Sequence, residues 1–250
     1  MADAHHLLGF GHRHMRLTYP RLIGSLALLF SVVLQRGALE WPSEPLWLGF
    51  TGLWLITSVL LIAGRLVQIA GASLAVLSMT LVVGPGGDLH SGLALLWWVG
   101  LTLAVTEGHP EERALLIRAT VTIVYAFAAI AKMNPSFLAG EQLIGMAVDR
   151  PQLSGFEELM RSNVGLVLSW LTIAAEAWLA VGLWIRRTRL ATAILGAGLH
   201  VVFILAAHNG THWDIAFVTV LNLTLVASYL AFFHPLELGR SARELLRTSG

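Results

Sequence analysis

Apolar residues along this chain come in blocks of membrane length, separated by short polar or basic breaks. Eight blocks stand out, at 19–35, 45–64, 66–83, 91–106, 114–131, 163–185, 190–207 and 214–233. An upright helix needs about 20 apolar residues to cross the hydrocarbon core of a bilayer. Blocks of this size therefore predict spans with soft ends and some local thinning of the bilayer. Backbone N–H and C=O groups in hydrocarbon must be bonded within the protein, which leaves helices or closed barrels. Strands of a barrel would alternate over about ten residues, and these runs do not. The expected fold is all-α: a polytopic bundle of about eight transmembrane helices.

The breaks between blocks carry an orientation. With the N-terminus taken as side one, that side holds Arg13, Arg16, Arg21, Arg65, Arg113, Arg186, Arg187, Arg189, Arg240, Arg243 and Arg247. The other side holds Arg36, Lys132, Arg150 and Arg161, with Arg118 inside a span. Basic residues favour the cytoplasmic side, so both termini are expected in the cytoplasm. Residues 1–18, with His5, His6, His12 and His14, read as a cytoplasmic interfacial segment. They lack the short apolar core and small-residue site of a cleavable signal. The bundle then covers 19–234, and 235–250 form a cytoplasmic tail with a short amphipathic helix. One connection is long. The outer stretch 132–162 mixes apolar pieces with charges, and long structured loops are more often functional than decorative. It predicts a re-entrant or interfacial helix near 138–148 and a second near 155–161.

Composition sharpens this picture. The chain is 56% hydrophobic and 12% charged, with a mean hydropathy of +0.72, where a soluble domain carries about 25% charged residues. There is too little polar surface to face water. The net charge of +1, with basic residues at block ends, gives no nucleic-acid footprint. Cysteine is absent, which excludes disulfides, thiolate nucleophiles and cysteine metal sites. No Walker loop, G-x-S-x-G, H-E-x-x-H or aspartate-rich run is present, which weighs against nucleotide, serine-hydrolase, zincin and ordinary diphosphate-ionising chemistry.

Ionisable residues within the blocks are the candidates for function, because each is costly to hold in a bilayer. Glu176 lies mid-block in LTIAAEAWLAVGL, where a carboxylate either finds a cationic partner or takes up a proton. His200, in GAGLHVVFILAA, is either hydrogen-bonded structure or a proton-handling group. Arg118 is near enough to the inner surface to snorkel. Lys132 ends the fifth block in IVYAFAAIAKMNPSFLAGE, directly before an Asn-Pro break. Lysine amines in apolar surroundings give up a proton readily and serve as bases, and snorkelling to headgroups is the alternative. His208, His212 and Asp214 in HNGTHWD form an outer cluster. It is either a metal-ligating H-x-x-x-H with a carboxylate or a wet loop with polar caps, and Gly210 favours the loop. His90 falls on the same side, so these groups gather in the outer half with Glu176 deeper.

Three stretches resemble the membrane part of vitamin K-dependent gamma-carboxylases and their small bacterial relatives, the horizontally transferred transmembrane domain proteins. They are RATVTIVYAFAAIAKMNPSFLAGEQL, LHSGLALLWWVGLTLA and EAWLAVGLWIRRTRLATAILGAGLHVVFILAAHN, in family order over about residues 85–225. The resemblance implies a multi-pass protein of the bacterial inner membrane. It implies Lys132 as the base that deprotonates reduced vitamin K or another hydroquinone, with His200 and His90 as pocket histidines and Glu176 as a buried acid. The catalytic set is then Lys132, Glu176 and His200, and the substrate-binding set His90, Tyr125, Asn134, Phe137, Trp178, His208 and Asp214. No metal ligand is assigned. Ala131 and Phe137 stand where the family often carries a second lysine and a tryptophan, and the family's large extramembrane region has no counterpart here. Partners are expected to be membrane lipids and a lipid-soluble quinone or isoprenoid, with isoprenoid cyclisation as the second enzymatic expectation. The non-enzymatic alternative is a transporter or maturation partner.

Overall fold

The computed structural model describes residues 18–40, 45–83, 91–148, 158, 161, 163–206 and 212–233. Every regular element among them is helical: α1 (Tyr19–Glu40), α2 (Pro45–Ala63), α3 (Val67–Val83), α4 (Ser91–Val105), α5 (Pro110–Ala131), α6 (Pro135–Leu138), α7 (Glu141–Val148), α8 (Asn163–Gly182), α9 (Arg189–Ala206), α10 (His212–Ser228) and α11 (Leu230–Phe233). The interfacial segment expected at 1–18, the loop helix expected at 155–161 and the tail expected at 235–250 lie outside the described residues, apart from Thr18, Glu158 and Arg161.

The eight apolar blocks return as α1 to α5, α8, α9 and α10 with α11, with ends that local chemistry moves. The fifth helix begins at Pro110 rather than near 114. Proline suits the first helical position, where its missing N–H is no loss, and Glu111 and Glu112 face the positive end of the helix dipole. The first helix runs on to Glu40. The last block breaks at Tyr229 into α10 and α11. At the α2–α3 turn the backbone goes left-handed at Gly64 (φ 67°) and Leu66 (φ 50°), with Gly64 N–H donating to Leu61 O and Arg65 N–H to Leu60 O.

The chain divides into two compact units, one of residues Met1–Arg118 with His212–Gly250 and one of Ala119–Thr211. In the first, α1 packs on α2, α2 on α3, α3 on α4, α4 on α10, and α10 back on α1, a closed ring of five helices. Trp54 is buried between α1 and α2, its indole N–H donating to Ala27 O at 2.7 Å and its ring 5.5 Å from that of Phe30. Small residues let these helices touch: a Cβ added at Gly24 would lie 2.8 Å from Ser58 O. Tyr19 Oη and Ser228 Oγ, 3.1 Å apart, join the first helix to the last long one.

Arg118 corrects the expectation of a snorkelling side chain. It is buried, and its guanidinium donates to Ala231 O at 2.8 Å and Phe232 O at 3.3 Å. Those carbonyls belong to the last turn of the four-residue α11, where no intrahelical N–H reaches them, and a charged donor satisfies them inside an apolar unit.

Many large apolar side chains among the described residues are exposed. Phe127 and Leu205 are each 70% exposed, and Leu48, Val76, Ile123, Leu190 and Ile194 stand out in the same way. Serine and threonine meanwhile sit inside, as at Ser58, Thr102 and Thr106. Two helices, α5 with 22 residues and α8 with 20, are long and apolar enough to cross a membrane, and the apolar stretches found in the other principal helices are shorter.

Candidate functional site

The second unit holds the candidate chemistry. It comprises α5 from Ala119 onward, α6, α7, α8 and α9, with α8 packed on α6, α7 and α9.

Asn134 and Pro135 end α5 and start α6. Proline restricts the residue before it to extended backbone, and Asn134 has φ −104° and ψ 154°. Its Nδ2 donates to Ala131 O at 3.0 Å, closing the end of α5. Its Oδ1 accepts from Phe137 N–H at 3.0 Å, opening α6. The helix expected near 138–148 starts at Glu141, and a separate short helix, α6, precedes it, the two parted by a turn at Gly140, which adopts φ +81°. That turn rests directly on α8: a Cβ at Gly140 would lie 3.0 Å from Gly165 C and Leu166 N, so glycine answers both the backbone angle and the close approach. Phe137, turned inward, packs with Ala129 of α5 and Ile173 of α8, flanked by Leu138 and Leu143.

Above this apolar contact stands the central pair. Lys132 Nζ donates to Glu176 Oε1 at 2.8 Å and Oε2 at 2.9 Å, and lies 5.9 Å from the centre of the Phe137 ring. The Lys132 side chain is 27% exposed and that of Glu176 only 5%. Glu176 lies on the buried face of α8 with Ser169, Ile173 and Leu179, at the three- and four-residue spacing of one helix stripe.

A second pair lies along α5. Tyr125 Oη and His200 Nε2 are hydrogen-bonded, both buried, with ring centroids 5.8 Å apart, and Phe203 meets the histidine edge-on at 6.3 Å. Tyr125 and Lys132 are seven residues apart, which puts them on one face of α5 and roughly 10 Å apart along its axis. Further polar bonds tie the unit together. Trp184 donates to Thr122 Oγ1 at 2.7 Å, and Trp178 to Thr192 Oγ1 at 3.1 Å. At the α8–α9 turn Thr188 Oγ1 donates to Gly182 O and Arg189 Nε to Leu183 O, both at 3.0 Å.

Of the residues singled out in the sequence, Lys132, Glu176, Asn134 and Phe137 come together, Tyr125 and His200 form the second pair, and Trp178 bridges α8 to α9. His90 and His208 lie outside the described residues; His212 and Asp214 fall within α10, whose first residues are described in backbone only. The pairing of Lys132 with Glu176 was not read from the sequence. A signal for it existed: two opposite charges, each alone within apolar surroundings, on successive long helices. Ser169, buried with no hydrogen-bond partner for its hydroxyl, was also missed. Among the described residues, no three His, Asp or Glu side chains form a metal-sized group.

Among the described residues these features define an all-helical protein with many exposed apolar side chains and an ion pair set among apolar side chains. No family model, no curated protein and no solved structure matches the chain.

Proposed function

We propose that this is a multi-pass integral membrane enzyme, gamma-carboxylase-like, that uses the Lys132–Glu176 pair to take a proton from a lipid-soluble quinone-type or isoprenoid substrate. The single observation that carries the reading is that pair. An ion pair replaced by well-packed apolar groups is often no less stable, so one kept among apolar helices points to chemistry. Lys132 is the member that meets the substrate, Glu176 the buried acid behind it, and the Tyr125–His200 pair a second positioning group on the same face of α5. A hydroquinone bound here would supply an acidic O–H and two reducing electrons. The donor set suits such a molecule: an ammonium, a carboxylate and a tyrosine–histidine pair, each set in apolar surroundings.

The membrane reading rests on the many large apolar side chains that are exposed, where a large exposed apolar surface marks a membrane or partner contact, and on the eight blocks with their basic side. It places both termini in the cytoplasm, within a bacterial inner membrane. Reporter fusions after Arg187 and after Pro151 are expected to report opposite sides, and the same side for both would end the eight-span topology.

Native mass spectrometry of the purified protein is expected to show a retained quinone or prenyl lipid. Lys132→Ala is expected to lower turnover of the matching quinone or prenyl substrate by about a hundredfold or more, the usual reach of a general base. Unchanged turnover would remove the base assignment, and uptake that depends on Glu176 in place of turnover would make the protein a transporter.

A further inference from the structure

We infer that a proton taken from the substrate comes to rest on Glu176, with Lys132 as the relay and not the final base. This rests on the reading that the pair meets a lipid-soluble molecule carrying an acidic O–H, and adds which atom accepts the proton. The Lys132 ammonium donates to both carboxylate oxygens, with Nζ 2.8 and 2.9 Å from them. An ammonium has three donors and no lone pair, so an amine held in this way cannot itself accept a proton. The carboxylate has spare lone pairs, yet its side chain is 5% exposed and stands behind an amine that is 27% exposed. An arriving O–H meets the amine first and reaches the carboxylate through it.

The exchange balances without any other reactant. The substrate O–H breaks as a new N–H forms on Lys132, while one N–H of Lys132 breaks as an O–H forms on Glu176. Lysine begins and ends as ammonium, the carboxylate ends as a neutral acid, and the substrate ends as an oxyanion beside the ammonium. One ion pair replaces another, so no net charge is created among apolar side chains, where an unpaired charge is costly.

The test needs no turnover. An alkyl-substituted mononitrophenol absorbs at longer wavelength once ionised, and quenching of tryptophan fluorescence reports its binding separately. At a pH where the probe is neutral in empty detergent micelles, the wild type is expected to bind it as phenolate. Glu176→Gln is expected to keep the quenching and to lower the bound phenolate-to-phenol ratio at least tenfold, the equivalent of about one unit of proton affinity. Glu176→Asp, which keeps a carboxylate, is expected to restore part of the band. If Glu176→Gln retains the full phenolate band, Lys132 takes the proton alone and the inference is overturned while the site reading stands. Wild-type binding with no phenolate overturns it in the same way, and no binding by the wild type removes the site reading as well. Should Glu176→Gln fail to fold, the infrared band of a protonated carboxylic acid decides: its rise on adding probe to the wild type supports Glu176 as acceptor, and its absence overturns it.

Discussion

Lys132→Met is expected to lower the unfolding free energy by about 3–5 kcal/mol, the usual cost of stripping one member from a buried ion pair, and Glu176→Gln by only about 1–2 kcal/mol. The asymmetry comes from where the two groups sit. Removing the ammonium leaves a carboxylate that is 5% exposed with its two charged hydrogen bonds gone. Removing the carboxylate charge leaves an amine that is 27% exposed, on a flexible stem that can lean toward polar surroundings. Glutamine also retains a carbonyl oxygen that can accept from Nζ. The double variant Lys132→Met/Glu176→Leu should recover most of the loss, because apolar replacements of matching volume remove the desolvation penalty of both ions. Unfolding in mixed micelles titrated with sodium dodecyl sulfate measures all three. Equal costs for the two single variants would show that the carboxylate is not the more deeply held partner.

Gly71→Val is expected to be as damaging, for a reason that has nothing to do with charge. A Cβ at Gly71 would lie 2.8 Å from Gly100 O and 2.9 Å from Ala104 N, and one at Gly100 would lie 2.8 Å from both Ala75 N and Gly71 O. Carbon settles at about 3.5–4.0 Å from its neighbours, and the atoms in the way are backbone, which no rotamer change can clear. The α3–α4 contact must open along its length, at a cost of about 3 kcal/mol or more. Gly49→Ala is the matched control. Nothing lies within 4 Å of its Cβ position, so it should be neutral or stabilising by less than about 1 kcal/mol. Thermal unfolding followed by tryptophan fluorescence separates the two, and a Gly71→Val melt that overlays the wild type would mean that the two helices are not in backbone contact.

The helices themselves were legible in the sequence, because each apolar block reports its own environment. Their ends were less so. The start of α5 depends on Pro110 and two acidic residues that hydropathy counts against a span, and the break at Gly140 depends on a backbone angle taken to rest on Gly165. Glu176 was expected to find a cation or a proton, and its cation is Lys132, 44 residues away. Hydropathy averages over a whole segment, whereas such a pairing depends on which stripe of one helix meets which stripe of another, and on a lysine stem long enough to reach. The same holds for Tyr125 with His200 and for Arg118 with the carbonyls of Ala231 and Phe232. The division into two units was hidden as well, since the first is completed by residues that return after the second.

That return sets an order of assembly. The hydrogen bond between Tyr19 and Ser228 joins residues 209 positions apart, and ribosomes add about 5–20 residues per second. For some 10–40 s after Tyr19 is made, α1 therefore waits with its side of the ring open while the whole of the inserted unit is synthesised. The unit carrying Lys132 and Glu176 is complete before the helix that closes the other exists. The ring of the first unit then keeps a gap on the α1 side until α10 is made, and any factor that holds α1 has its longest opportunity in that interval.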